Sequence, residues 1–144
     1  RVREFGLSNV ETLAVMDAKN LAFKDSYFDA VVAQYVITAV PDPERTLDDF
    51  IRVLKPGGQL LVLEFSKPAD ALRPIYDAYS FRLLPLLGRL VAKDEASYRY
   101  LAESIRMHPD QEALAAMMRE AGLEDCRYHN LTGGIVAVHR GYRY

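Results

Sequence analysis

Cysteine, net charge and long apolar runs are all scarce in this 144-residue sequence, and each scarcity removes a class of function. Cys126 is the only cysteine, which excludes an intrachain disulfide framework. With no signal-like segment at either end, this favours a reducing, cytosolic setting. Lys and Arg number 18 against 20 Asp and Glu, a net charge of -2 that supplies no general attraction to polyanions, so a nucleic-acid partner has no compositional support. The longest nearly apolar stretch, residues 31–40, is interrupted by Gln34 and Thr38. It is about half of the roughly 20 residues needed to cross a bilayer. The three histidines and Cys126 show no metal-ligand spacing, and no metal is expected.

What is present suits one compact domain over residues 1–144, because 50% of the chain is hydrophobic and no repeat, low-complexity tract or long linker divides it. Residues 12–16 are short, apolar and β-branched around Leu13, bracketed by Asn9 and Asp17, and read as a strand. Residues 28–33 read as a second strand, apolar enough to be covered on both faces. Asp42 is placed to cap a helix that Pro43 can begin, since proline lacks only an N–H that the first turn leaves unpaired. Leu47, Phe50, Ile51 and Leu54 then recur at i, i+3, i+4 and i+7. Lys55-Pro56-Gly57-Gly58 ends the helix and leads into a buried strand over residues 59–65. Strand, helix and strand with short connections predict a right-handed parallel crossover.

Residues 70–92 contain Pro74, Pro85 and Gly88 among apolar and aromatic residues, which predicts broken helices, and residues 69–108 together read as a helical lid. A helix is expected over residues 95–105. Another starts at Pro109, with Asp110 and Glu112 near its positive end, Leu114, Met117, Met118 and Ala121 on one face, and Gly122 as its stop. Residues 124–131 and 135–139 form an antiparallel hairpin through Thr132-Gly133-Gly134. The fold class is therefore α/β, a doubly wound, mostly parallel sheet ending in an antiparallel hairpin. Ligands of such sheets sit beyond the carboxyl ends of the parallel strands, so Asp17-Ala18, Gln34-Tyr35 and Glu64-Phe65 are expected to line one crevice. Arg1 stands inside what reads as the end of a helix, whereas residues 141–144 follow the last strand directly. The amino end thus reads as cut and the carboxy end as natural.

From Arg52 to Tyr144 the sequence resembles the ubiquinone/menaquinone-biosynthesis C-methyltransferases of the UbiE type. The resemblance rests on Lys67-Pro68, Tyr76-Asp77-Ala78-Tyr79-Ser80-Phe81, Ser104-Ile105-Arg106-Met107-His108-Pro109-Asp110-Gln111, Asn130-Leu131-Thr132-Gly133-Gly134 and His139-Arg140-Gly141. The run around Arg106 is specific, while Arg52-Val53-Leu54-Lys55-Pro56-Gly57-Gly58 is shared by many methyltransferases. The resemblance implies a class I S-adenosylmethionine methyltransferase (Rossmann-like) fold, here amino-terminally truncated. It also implies S-adenosyl-L-methionine as methyl donor and a lipophilic quinol carrying a polyprenyl tail as acceptor. Carried over by position, Asp17 and Ala18 would meet the adenine and Gln34 the cofactor after the next strand. The superfamily's glycine-rich loop and ribose-binding acid would precede Arg1. The family's Gly-Leu-Arg-Asn-like run, linked to quinol activation, is matched here by Val36-Ile37-Thr38-Ala39. Residues 8–44 resemble bacterial phosphatidylethanolamine N-methyltransferases instead, so a hybrid chain, phospholipid N-methylation and a non-catalytic fragment are the rival readings.

Methyl transfer from a sulfonium is an in-line displacement, so positioning and exclusion of water outrank acid–base power. Ring C-methylation adds one demand, a base or a cation that favours the phenolate beside the acceptor carbon. Arg106, His108 and Asp77 are the candidates. Against these roles stand a capping role for His108 before Pro109 and an ion pair between Arg106 and Glu103, three residues apart. Asp17 reads either as an adenine contact or as a plain turn residue. Tyr76, Tyr79, Phe81, Tyr98 and Tyr100 concentrate aromatic surface suited to a quinol ring, to an amine head group or to the core. The run 83–91, with Leu84, Leu86, Leu87 and Leu90, suits a polyprenyl tail, a peripheral membrane contact or burial against the sheet. A homo-oligomer is compatible with all of these.

Overall fold

The computed structural model describes residues 6, 8–78 and 107–144, and within them the strands form one sheet. Strand β1 (Phe28–Gln34) leads through helix α1 (Pro43–Val53) into strand β2 (Leu54–Phe65). A short helix, α2 (Arg73–Ala78), follows. Helix α3 (Gln111–Glu120) then precedes strands β3 (Glu124–Leu131) and β4 (Val136–Tyr142), which are joined by a 3-10 turn at Thr132–Gly134. The sheet order is β1-β2-β4-β3, with β1 and β2 parallel and the other two pairings antiparallel. The predicted crossover and closing hairpin are thus both present.

Helix α1 starts as predicted. The Asp42 carboxylate accepts from the Arg45 N–H at 3.2 Å, and Pro43 opens the first turn. Its Leu47 and Phe50 side chains meet Leu114 and Met118 of α3 over Leu60 and Val62 of β2, so both helices lie on one face of the sheet. Coverage of both faces, expected for β1, is not found among the described residues. Val32, on the face away from α1, is 61% exposed. α3 begins two residues later than predicted because Asp110 takes the cap, its carboxylate accepting from the Ala113 N–H at 2.9 Å.

The predicted strand at residues 12–16 does not form. Leu13 is 76% exposed and Val15 fully exposed, and among the described residues no strand pairs with this segment. A strand needs a neighbour for its backbone N–H and C=O groups, which apolar character alone does not supply. The segment is nevertheless tethered further on. Ala18 and Leu21 pack against the core. The Arg52 guanidinium donates to the carbonyls of Leu21 and Phe23 and pairs with Asp25 and Asp49 at 2.7 and 2.8 Å. Arg52 of the shared motif is therefore a clamp between α1 and the chain leading into β1.

The second glycine of that motif, Gly58, serves close approach. A Cβ on Gly58 would stand 2.8 Å from the Lys55 carbonyl oxygen and 3.1 Å from that of Asp29, two backbone atoms that cannot swing aside. Gly58→Ala is therefore expected to lower stability by about 1–3 kcal/mol through overpacking. A urea midpoint equal to that of the parent chain would refute this.

Candidate functional site

The carboxyl ends of β1 and β2 lie side by side, Gln34 opposite Leu63 in the ladder. Two of the three pairs predicted for the crevice therefore meet. The Tyr35 N–H donates to the Leu63 carbonyl at 2.9 Å, and the Tyr35 ring lies 4.7 Å from that of Phe65. Tyr35 adopts φ 54°, a left-handed conformation that costs a residue with a side chain on the order of 1 kcal/mol or more and that clusters at functional sites. Gln34 is exposed at the end of this edge strand.

Behind these residues stands a fully buried carboxylate. Glu64, with no exposed surface, accepts from the Thr38 N–H at 3.2 Å through one oxygen and from the Thr38 hydroxyl at 2.7 Å through the other. A carboxyl taken from water needs such donors, since an unpaired buried charge costs several kcal/mol. Sequence reasoning placed Glu64 at the crevice without giving it a partner. The available signal was an acid at an inward position of an otherwise apolar strand, which demands a donor nearby. Thr38 stands within the stretch that replaces the family's Gly-Leu-Arg-Asn-like run.

Asp17 lies in an exposed turn closed by the Asn20 N–H on the Asp17 carbonyl at 3.0 Å, and its carboxylate accepts from the Lys19 N–H at 3.2 Å. The turn-residue reading is thereby realised, and the exposed carboxylate stays accessible to a ligand. Ala18 joins the core cluster that also holds Ala33 and Ile37, which flank Gln34 and Thr38 in the chain.

His108 is 6% exposed, and its Nε2 atom has no hydrogen-bond partner. Burial, with the nearby His139 adding to it, pushes its pKa down to about 4, so the imidazole is uncharged at neutral pH. It can then accept a proton but offers no positive charge to a phenolate. The cap of α3 is Asp110, not His108. His139, on an inward position of β4, is 1% exposed and contacts the Gln111 carbonyl through Nε2 at 3.0 Å, while its Nδ1 is unpartnered. Burial lowers its pKa too, against the opposing hydrogen bonds from the Gln111 and Val62 backbone.

Gln111 ties this region to the crevice. Its side-chain amide donates to the Lys67 carbonyl at 2.9 Å and to the Asn130 side-chain oxygen at 3.0 Å, fastening the segment after β2 to the hairpin and to the start of α3. Gln111→Ala is expected to cost about 1–2 kcal/mol. It should also speed amide exchange at Ala69, whose N–H donates to Gly133 across the same junction. Unchanged exchange there would show that Gln111 is no tie. Tyr76 and Asp77 are half-buried on α2. Arg106, Tyr79, Tyr98 and Tyr100 lie outside the described residues, as do Phe81, Glu103, the helix predicted over residues 95–105 and the run 83–91.

The sheet and its helices resemble solved methyltransferases. A SAM-dependent methyltransferase from Thermotoga maritima superposes with a TM-score of 0.63 at 25% identity, over 90% of this chain and 62% of that one. The [4+2]-cyclase SpnF reaches 0.69 at 19% identity, over 99% and 59%. The fold is thus the class I methyltransferase fold, and the cyclase shows that the fold alone does not name a reaction. In sequence, the ubiquinone/menaquinone biosynthesis C-methyltransferase UbiE of Vibrio vulnificus (strain YJ016) is 55% identical over all of this chain and 56% of its own length. That of Coxiella burnetii (strain Dugway 5J108-111) is 60% identical over 89% of this chain and 52% of its own. The chain spans about half the length of these curated relatives. Since the first of these matches includes residues 8–44, a hybrid origin is not needed to explain that stretch. The model of the ubiE/COQ5 methyltransferase family matches residues 1–143. The chain belongs to the ubiE/COQ5 methyltransferase family.

Proposed function

We propose that this chain forms part of an S-adenosylmethionine-dependent C-methyltransferase acting on a polyprenylated hydroquinone in ubiquinone/menaquinone biosynthesis. The observation that carries the reading is 55–60% identity to proteins of that name across 89–100% of the chain. The cofactor, when bound, supplies an electrophilic methyl group. The residues on hand suit it: Asp17 presents an exposed carboxylate and Ala18 an apolar neighbour for the adenine, and Gln34 an exposed amide for the cofactor after the next strand. The protein's own part is to hold the acceptor ring against that edge of the sheet and to keep water out. Tyr35 and Phe65 supply a tilted aromatic pair there, and in this reading the aromatic residues of the sequence segment 69–108 supply the cover. Arg106 and His108 face the acceptor in this reading, Arg106 as the cation and His108 as a neutral proton acceptor.

No helix among the described residues is long and apolar enough to cross a membrane. In this reading a tailed substrate is met by peripheral contact, for which the sequence run 83–91 has the required apolarity. Phospholipid N-methylation lacks comparable support. A Haemonchus contortus phosphoethanolamine N-methyltransferase shares only 13% identity at a TM-score of 0.60, which speaks for the fold alone.

Calorimetric titration of the chain with a short-tailed demethylhydroquinone and with S-adenosylhomocysteine should show binding of both. In the protein of which this chain forms part, labelled methyl groups should pass from S-adenosylmethionine to the demethylhydroquinone and not to phosphatidylethanolamine. Transfer to the phospholipid, or no binding of the hydroquinone, would reject the proposal.

A further inference from the structure

The Thr38 and Glu64 pair has a fixed polarity with a chemical consequence for the crevice. Both Glu64 oxygens are occupied by Thr38, one by its backbone N–H at 3.2 Å and the other by its hydroxyl at 2.7 Å. The Thr38 hydroxyl donates to the Glu64 side chain, so its single proton points inward. The 2.7 Å separation is that of a well-formed O–H···O hydrogen bond. A hydroxyl whose proton is committed has only lone pairs left. Thr38 is half-buried, in the turn between β1 and α1 at the carboxyl edge of the parallel pair, the edge where ligands of such sheets sit. The Ala39 and Val40 N–H groups are turned back onto the Val36 carbonyl at 2.9 and 3.1 Å, so these two donors of the turn are already engaged.

We propose that the Glu64-oriented Thr38 hydroxyl is a hydrogen-bond acceptor that selects a donor group on the acceptor substrate, the phenolic O–H of a hydroquinone, and discriminates against the oxidised quinone and against capped ethers. This rests on the quinol reading above and adds to it the residue pair that tells the reduced ring from the oxidised one. A quinone carbonyl would bring a lone pair against a lone pair. A hydroquinone hydroxyl completes the chain from ligand O–H to Thr38 to Glu64, and the same hydrogen bond draws the phenolic proton away from the ring, the direction in which the neighbouring carbon gains nucleophilicity. The Glu64 carboxylate acts through Thr38 and is a positioning residue.

The polarity can be reversed with one atom. In Glu64→Gln the side-chain oxygen can still accept from the Thr38 N–H, which places the new NH2 group opposite the hydroxyl. The hydroxyl must then accept from inside and donate outward. Calorimetry under anaerobic, reducing conditions with a short-tailed hydroquinone, and separately with its quinone and its dimethyl ether, reads the outcome.

For the parent chain the hydroquinone should bind roughly tenfold more tightly than either analogue. Thr38→Val should abolish that preference, Thr38→Ser should keep it, and Glu64→Gln should invert it in favour of the quinone. Equal hydroquinone affinity in the parent and Thr38→Val, both shown folded by circular dichroism, would overturn the assignment while leaving the quinol reading intact. An unaltered hydroquinone preference in Glu64→Gln would do the same. If none of the three ring compounds binds the parent chain, the quinol reading falls and this inference falls with it.

Discussion

Lowering the pH from 7 to about 4 is expected to remove roughly 3 kcal/mol of folding stability through His108 alone, with a further loss from His139. His108 titrates near 6.5 when unfolded but only at about 4 in the folded chain. As the pH falls through 6.5 the unfolded state takes up a proton that the folded state refuses. Stability is therefore complete above 6.5 and drains away between 6.5 and about 4. His139 shifts in the same direction and adds to the same window. The carboxylates act in a different range. Asp29 is held down by the hydrogen-bonded Lys55 ammonium, and at Asp49 the upward push of burial is outweighed by Arg52. Both lose their contribution only as the pH falls below the ordinary value of 3.8. Domains of this size are stable by about 5–15 kcal/mol in all, so a loss of 3 is conspicuous. Urea midpoints at pH 7, 5.5 and 4.5 test this, with His108→Gln as the companion variant whose slope should shrink to the part owed to His139. Equal midpoints at pH 7 and 4.5 would show that neither imidazole is held neutral by burial.

Leu47→Ala is expected to cost about 2–5 kcal/mol. Leu47 has no exposed surface, and it sits where α1 meets α3 over β2, within one cluster with Phe50, Leu60, Val62, Leu114 and Met118. Two helices and a central strand line the site, so the hole cannot collapse by moving one element alone. Leu13→Ala removes the same atoms from a residue that is 76% exposed, and should stay within about 0.5 kcal/mol. Urea unfolding of the two variants side by side decides the matter. A Leu13 variant as damaged as the Leu47 variant would mean that residues 12–16 are buried in solution.

That pair of leucines also shows how far sequence patterns reach. The stripe of Leu47, Phe50 and Ile51 carries the 3.6-residue period, Asp42 and Pro43 carry the start, and the hairpin carries its own turn, so α1, β3 and β4 are readable from neighbours within a few positions. Leu54, read as the last residue of the stripe, is instead extended and opens β2 five residues before the predicted strand start. The first residue of α3 was misplaced by two because Asp110, rather than the residue before Pro109, holds the free N–H of the first turn. Residues 12–16 have the composition of a strand and still do not form one. Their pattern reports the wish to be covered, whereas a strand exists only where another backbone completes the ladder. Within the site, Gln34, Tyr35 and Glu64-Phe65 followed from the rule that crevices open at the carboxyl ends of parallel strands.

Local order along the chain decided the fold class, the helix over residues 43–53, the crossover and the closing hairpin, because periodicity, caps and turns act between residues a few positions apart. Spatial packing alone decided that Thr38 reaches across 26 residues to Glu64, that His108 and His139 are neutral neighbours, and that the segment before β1 hangs on Arg52 instead of pairing. Each of those depends on which polar group is left in the dark beside which, a relation between distant parts of the chain that no window of sequence contains.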